Sequence, residues 1–293
     1  MHALCLQFLF PSLLRKLQKV GAFAVAILLT FAGALPALHA QESGPREILI
    51  TYRCQPADRP AFREYLERDE IAMLEQLKRD GALKRYKILF NPIVTETFDA
   101  MIVLDFASYT ATDSWLAIER KTPGGLTPAA LKLAKPVQTY LADLQWEEGN
   151  DPPGGTKPVF YVIPYSYNSL DQYKAYIDAY LIPQVRGWMK EGVLNRYSLY
   201  LNRYPVGDPW DSLFIYEYRD RESFGKREET IAKVRNSLKD DPVWKHWSDI
   251  KATIRSESEN TIMEEVTPRP SAPPHPEPKG SHRCAQLQLP PYL

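Results

Sequence analysis

Histidine and cysteine are scarce in this chain of 293 residues, with five of the first and three of the second. His2 and His39 fall in a segment that reads as an export signal, and His275 and His282 fall in a proline-rich tail. Only His246 is left for a folded region, and one histidine does not build a multi-histidine metal site. Cys5 would leave with the signal. An oxidising compartment would permit Cys54 and Cys284 to pair, but Cys284 sits in the tail, and two unpaired thiols are the plainer reading. The chain has no glycine-rich phosphate loop, nucleophile elbow, CxxC or HExxH, so no cofactor and no metal is expected. It also lacks a charge excess: 36 basic residues face 36 acidic ones. Arg15, Lys16 and Lys19 belong to the N-terminal segment, so the remaining body is slightly acidic, which argues against nucleic acid as a partner.

Apolar runs are short except in one place. Arg15, Lys16 and Lys19 precede Val20 to Leu35, and Ala37-Leu38-His39-Ala40 offers small residues for cleavage. Residues 1–40 therefore read as a signal peptide, and the chain as exported, periplasmic or secreted. The run also nears membrane-spanning length, so an uncleaved anchor is the alternative. Pro36 and the small residues favour cleavage, which leaves no stable membrane anchor. No cysteine follows closely enough for lipid attachment.

The body of the chain contains one unit written twice. Leu77 to Tyr86 (LKRDGALKRY) sits beside Trp188 to Tyr197 (WMKEGVLNRY), at an offset of 192 − 81 = 111 residues. The offset holds backwards through Leu74/Val185 and Phe62/Tyr173. One inserted residue later, it gives Val103/Ile215, Asp105/Glu217 and Phe106/Tyr218. Such a period is too long for a solenoid and suits a small α/β domain.

Each copy reads as strand, helix, strand, strand, helix, strand. Val159 to Ile163 is β-branched and aromatic, as strands are. Ser169 and Gln172 form a capping box, Leu170 to Trp188 carries helical spacing, and Gly192 ends the helix. Pro183 lies inside that run and predicts a kink. In the first copy Asp58 is the expected cap, Pro60 lies in the first turn and Gly81 ends the helix. Leu194 to Asn202 and Asp211 to Tyr218 are the next strands. Leu213, Ile215 and Glu217 share one face of the latter, and Phe214, Tyr216 and Tyr218 the other. Both faces are largely apolar, so both must be covered. Ser256 to Val266 supplies a last strand. Gly149 to Thr156 links the units, and the tail from Thr267 reads as disordered or polyproline II.

A doubled βαββαβ unit resembles the dimeric α/β-barrel superfamily of ferredoxin-like domains, most of all its NIPSNAP-like and EthD-like branches. Leu213-Phe214-Ile215-Tyr216-Glu217-Tyr218, the charged start at Arg219 to Glu222, and Asp240-Asp241-Pro242-Val243-Trp244 carry the resemblance. It covers residues 157–265 well and 46–148 less well. It implies an α+β fold of tandem ferredoxin-like units, 46–148 and 157–266, paired as an intramolecular pseudo-dimer. It supplies no common catalytic residue, since such proteins include cofactor-free oxygenases, haem proteins and proteins of obscure role.

The candidate site is drawn from the second unit's excess of phenols. A buried hydroxyl needs a partner, and a cavity lined by rings and a few polar groups is the usual form of a small-molecule site. Tyr161, Tyr173, Arg196, Glu217 and Tyr218 are the expected ligand contacts. His246 and Tyr216 are the candidate acid–base pair. The alternatives are a tyrosine-rich core and a histidine on a helix surface, flanked by Trp244 and Trp247. The expected function is binding of a small aromatic or lipid-like molecule. A cofactor-independent enzyme of oxygenase or isomerase type, or a structural protein without a ligand, are the other readings. Sequence assigns no oligomeric state.

Overall fold

A computed structural model supplies the architecture and describes residues 44–150, 155–205 and 210–269. The expected signal peptide, Cys284, His275 and His282 lie outside the described residues. Strand β1 is Glu47–Cys54, β2 Arg85–Phe90, β3 Ala100–Asp105 and β4 the long Ala134–Gly149. The second half supplies β5 Val159–Tyr167, β6 Leu194–Asn202, β7 Ser212–Tyr218, β8 Arg255–Glu257 and β9 Thr261–Glu265. Helices α1 (Arg59–Tyr65) and α2 (Ile71–Arg79) follow β1. Helix α3 (Asp113–Glu119) follows β3. Helices α4 (Leu170–Tyr176) and α5 (Ile182–Lys190) follow β5, and α6 (Arg221–Gly225), α7 (Arg227–Leu238) and α8 (Pro242–Ile254) follow β7.

All strand pairs are antiparallel, and the sheet returns on itself. The order is β7–β6–β4–β1–β3–β2–β9–β5, and β5 pairs again with β7. The eight strands thus form a closed barrel, which leaves no open edge among them. Two seams join the halves. β4 pairs with β6 from Ala142↔Asn202 to Gly149↔Arg196, whereas β2 meets β9 only at Leu89↔Glu265 and Phe90↔Glu264. The sheets of the two halves therefore join edge to edge, and their inner faces meet across the barrel.

Period-2 alternation assigns the two faces. Leu49, Leu89, Met101, Val103, Phe160, Val162 and Ile215 turn inward and pack without any helix. Their neighbours turn outward under helices. In the first half these are Ile48, Ile50, Tyr52 and Ile102, covered by Phe62, Leu74 and Trp115. In the second half Phe214, Tyr216 and Tyr218 lie beneath Tyr173, Tyr176, Tyr180 and Trp188.

The 111-residue offset reappears in the helices. α1 and α4, and α2 and α5, correspond residue for residue, and each pair is joined by a π-helical turn, Leu66–Glu70 and Ile177–Leu181. Gly81 and Gly192 both end their helices at φ 74°, a left-handed conformation that favours glycine. The kink expected from Pro183 is this π turn. Proline is not its cause, because Ala72 holds the matching place in the first half and the turn is there too. Ser169 caps α4 by accepting from the Gln172 N–H, as expected. Asp58 does not cap α1: its own backbone is already helical, ending a 3-10 turn, and its side chain makes no capping bond. Asp241 caps α8, accepting from the Val243 and Trp244 N–H groups at 2.8 and 3.1 Å.

Candidate functional site

One end of the barrel interior is polar and holds a cavity of about 170 Å³. Val103, Phe160, Tyr200 and Ile215 form its apolar wall, and Arg85, Lys87, Asp105, Glu147, Arg196, Ser198 and Glu217 its polar wall. Strand alternation brings them there, except Glu147, which an irregularity in β4 between Leu144 and Trp146 turns inward. Arg85, Lys87 and Leu89 are every second residue of β2, while Arg196, Ser198 and Tyr200 are every second residue of β6. Leu213, Ile215 and Glu217 do the same on β7.

Ion pairs from both halves cross this end of the barrel. Lys87 Nζ donates to Glu217 Oε2 at 2.9 Å and lies 4.4 Å from the centre of the Phe160 ring. Arg85 donates to Asp105 Oδ2 at 2.5 Å and to Glu147 Oε2 at 2.9 Å. Ser198 donates to Glu147 Oε1 at 3.2 Å, and Arg196 stands 3.8 Å from the same oxygen. Glu217 is only 3% exposed, and its second oxygen, Oε1, is buried with no hydrogen-bond partner among the described residues.

Carboxylates carry the deepest burial. Glu47, Asp105 and Glu217 are all buried, whereas the side chains of Arg85, Lys87 and Arg196 stay partly open to solvent. Burial pushes the Glu47 carboxyl up to about 7; the Leu144 N–H that it accepts opposes this, and nearby Asp105 adds to it. Glu265, beside Lys87 and Glu217, is raised chiefly by burial. The Tyr200 phenol is raised by burial as well, so it stays a neutral hydrogen-bonding group. Among the described residues, no cluster of three or more histidine, cysteine or acidic side chains is arranged to hold a metal ion.

Of the residues expected from sequence, Arg196 and Glu217 line this cavity. The phenols do not, and the reason is the period of a strand. Tyr216 and Tyr218 flank Glu217 and therefore face the other side of β7, under the helices. Tyr216 stacks on Phe214 at 5.1 Å and packs against Trp188, and Tyr218 meets Phe224 edge-on. Tyr161 alternates with Phe160 and Val162. It accepts from Asn260 at 2.9 Å and carries the Arg227 guanidinium 4.8 Å above its ring. Tyr173 shares a 2.5 Å hydrogen bond with Ser212 and stacks on Tyr167 at 4.6 Å. His246 is exposed on α8 with Trp244 buried behind it, so His246 and Tyr216 do not form a joint site. The expected tyrosine-lined cavity is instead a packed aromatic layer. Lys87, Glu147 and Phe160 join the cavity without any local signal, since Lys87 and Glu217 are 130 residues apart. The repeat was the available clue, because Lys87 is the counterpart of Ser198.

No protein-family model and no curated protein matches the chain. Solved structures do resemble it. An anthrone oxidase-like protein is 7% identical, with 76% of this chain and 92% of that one covered at a TM-score of 0.47. A heme-binding protein from Thermus thermophilus is 12% identical, with 76% and 91% covered at 0.45. A chlorite dismutase from Candidatus Nitrospira defluvii is 14% identical, with 78% and 92% covered at 0.47. At that level of likeness the chain's own residues carry the functional reading.

Proposed function

We propose that this is an exported small-molecule-binding protein whose ligand sits in the polar end of the barrel. Two fused ferredoxin-like units, residues 46–148 and 157–266, act as an intramolecular pseudo-dimer of the dimeric α/β-barrel kind. The repeated helices, π turns and glycines support the duplication, and the basic segment, apolar run and Ala40 support export. One observation carries the binding role: the Lys87–Glu217 pair, one partner from each half, closes over an apolar wall and leaves a buried carboxylate oxygen unsatisfied. A cavity with an apolar body and a few convergent polar groups is how proteins hold small molecules. Its volume limits the occupant to about the size of a single ring, since an apolar cavity of roughly 150 Å³ accepts benzene.

The test is a crystallographic soak of single-ring fragments into the mature protein, which is expected to begin near Gln41 by N-terminal sequencing. Density beside Phe160 and Ile215 is expected, and is expected to vanish in Ile215→Trp, where the indole occupies the space. Fragments bound only among Tyr161, Tyr173 and Tyr218 would return the site to the outer layer.

A further inference from the structure

We propose that the occupant of the barrel cavity is a small amine, whose ammonium group is received by Glu217 Oε1 and whose apolar body lies against Phe160, Val103 and Ile215. This rests on the cavity being the binding site. Three observations converge on it. The first is the orphaned oxygen itself. Glu217 is 3% exposed, its Oε2 is satisfied by Lys87, and Oε1 has no donor among the described residues. A buried acceptor left unpaired costs about 1–3 kcal/mol, more when charged, so a ligand that brings a donor recovers that cost on binding. The second is the placement of charge. The two most buried charged groups that line the cavity, Asp105 and Glu217, are acids, while Arg85, Lys87 and Arg196 are each more open to solvent. A cation entering the cavity moves toward the acids; a carboxylate ligand would meet them head-on. The third is that the site already holds one ammonium in this way. Lys87 Nζ is gripped between the Glu217 carboxylate and the face of Phe160, and a carboxylate with an aromatic face is a general means of recognising ammonium groups.

The volume sets the class further. About 170 Å³ admits one ring or a short branched chain beside the ammonium, and excludes polyamines and fused-ring amines.

Titration calorimetry of the full mature protein with benzylamine, benzyl alcohol and benzoate separates the terms. Benzylamine is expected to bind at least about tenfold more tightly than benzyl alcohol, and benzoate most weakly. Glu217→Gln is expected to weaken benzylamine by about tenfold or more while moving benzyl alcohol less than about threefold. Benzyl alcohol or benzoate binding as tightly as benzylamine, abolished by Ile215→Trp, would overturn the amine and leave the cavity reading intact. No binding by any of the three would overturn both, leaving a cavity that holds water. Should Glu217→Gln fail to fold, a structure of the wild-type protein with benzylamine decides the matter. A nitrogen within about 3.2 Å of Glu217 Oε1 supports the proposal, and a nitrogen facing Tyr200 instead overturns it.

Discussion

The two halves share a scaffold and fill it differently. In the second half, α8 closes the outer layer over a run of stacked rings. Tyr167, Tyr173, Tyr176, Tyr180 and Trp244 follow one another at centroid spacings of 4.6, 6.1, 5.1 and 5.0 Å. Trp244 also donates to the Tyr180 carbonyl at 3.1 Å, and the Arg255 guanidinium lies over Tyr165 and Tyr176. The first half has only the short α3, followed by a tight Pro123–Gly125 turn. Its layer contains buried carboxyl groups instead. Tyr65 donates to Glu70 at 3.0 Å, Tyr52 donates to the Gly124 carbonyl at 2.6 Å, and Glu119 accepts from the Gly124 N–H at 2.9 Å. A missing helix is thus replaced by backbone brought close to a tryptophan and by polar groups bonding one another. The inner face diverges less. Arg85/Arg196 and Asp105/Glu217 repeat, and the pair Lys87/Ser198 breaks the repeat. That one difference turns two equivalent positions into a single asymmetric site.

The comparison can be broken most forcefully at the aromatic stack. Tyr180→Ala should cost about 3–5 kcal/mol, as large aromatic truncations in a core do. Its counterpart 111 residues earlier is the exposed Asp69, and Asp69→Ala should cost less than about 0.5 kcal/mol. Chemical denaturation of both variants checks this, and equal costs would show that the layers are not filled differently. Glycines sharpen it next. A methyl group on Gly125 would lie 2.5 Å from Trp115, at φ 75°, whereas one on Gly192, in the same conformation, would meet only Arg219 Nη1 at an ordinary contact distance of 3.8 Å. Gly125→Ala should therefore lose about 3 kcal/mol and Gly192→Ala about 1 kcal/mol, measured by the same unfolding curves.

Proton linkage separates the halves more gently. Burial pushes the Glu70 carboxyl up to about 8, opposed by its bond from Tyr65. The folded chain holds a proton there that the unfolded chain releases above about pH 4.5, so stability falls as pH rises from about 4.5 to about 8. Glu70→Gln should flatten that decline and raise stability at pH 8 by roughly 2 kcal/mol, with little effect at pH 4. The smallest effect belongs to His246, which has no matching helix in the first half. His246→Gln should change stability by less than about 0.5 kcal/mol and leave ligand binding unaltered.

Local rules made most of the framework legible. Leu194 to Asn202 is β6 to the residue, and Gly81 and Gly192 end their helices where the repeat placed them. Strand β5 runs past its expected end at Ile163 because Pro164 falls where its missing N–H costs nothing: β9 pairs only as far as Val162, and β8 begins opposite Tyr165. The site was half legible. Alternation already separated Glu217 from Tyr216 and Tyr218, yet phenol content drew attention to the face that the helices cover. Phe160 and Lys87 meet because the barrel closes, and closure is a property of pairings far apart in sequence that no local pattern encodes.

Closure also has a consequence in time. The β2–β9 seam joins Leu89 to Glu265, so the ring cannot be completed until nearly all of the folded region has left the ribosome. Until then β2 and β4 wait with unsatisfied edges, and such long-range pairing makes folding slow. A nascent polypeptide that finishes folding late remains threadable for longer, which is the condition under which the proposed transport across a membrane has to happen.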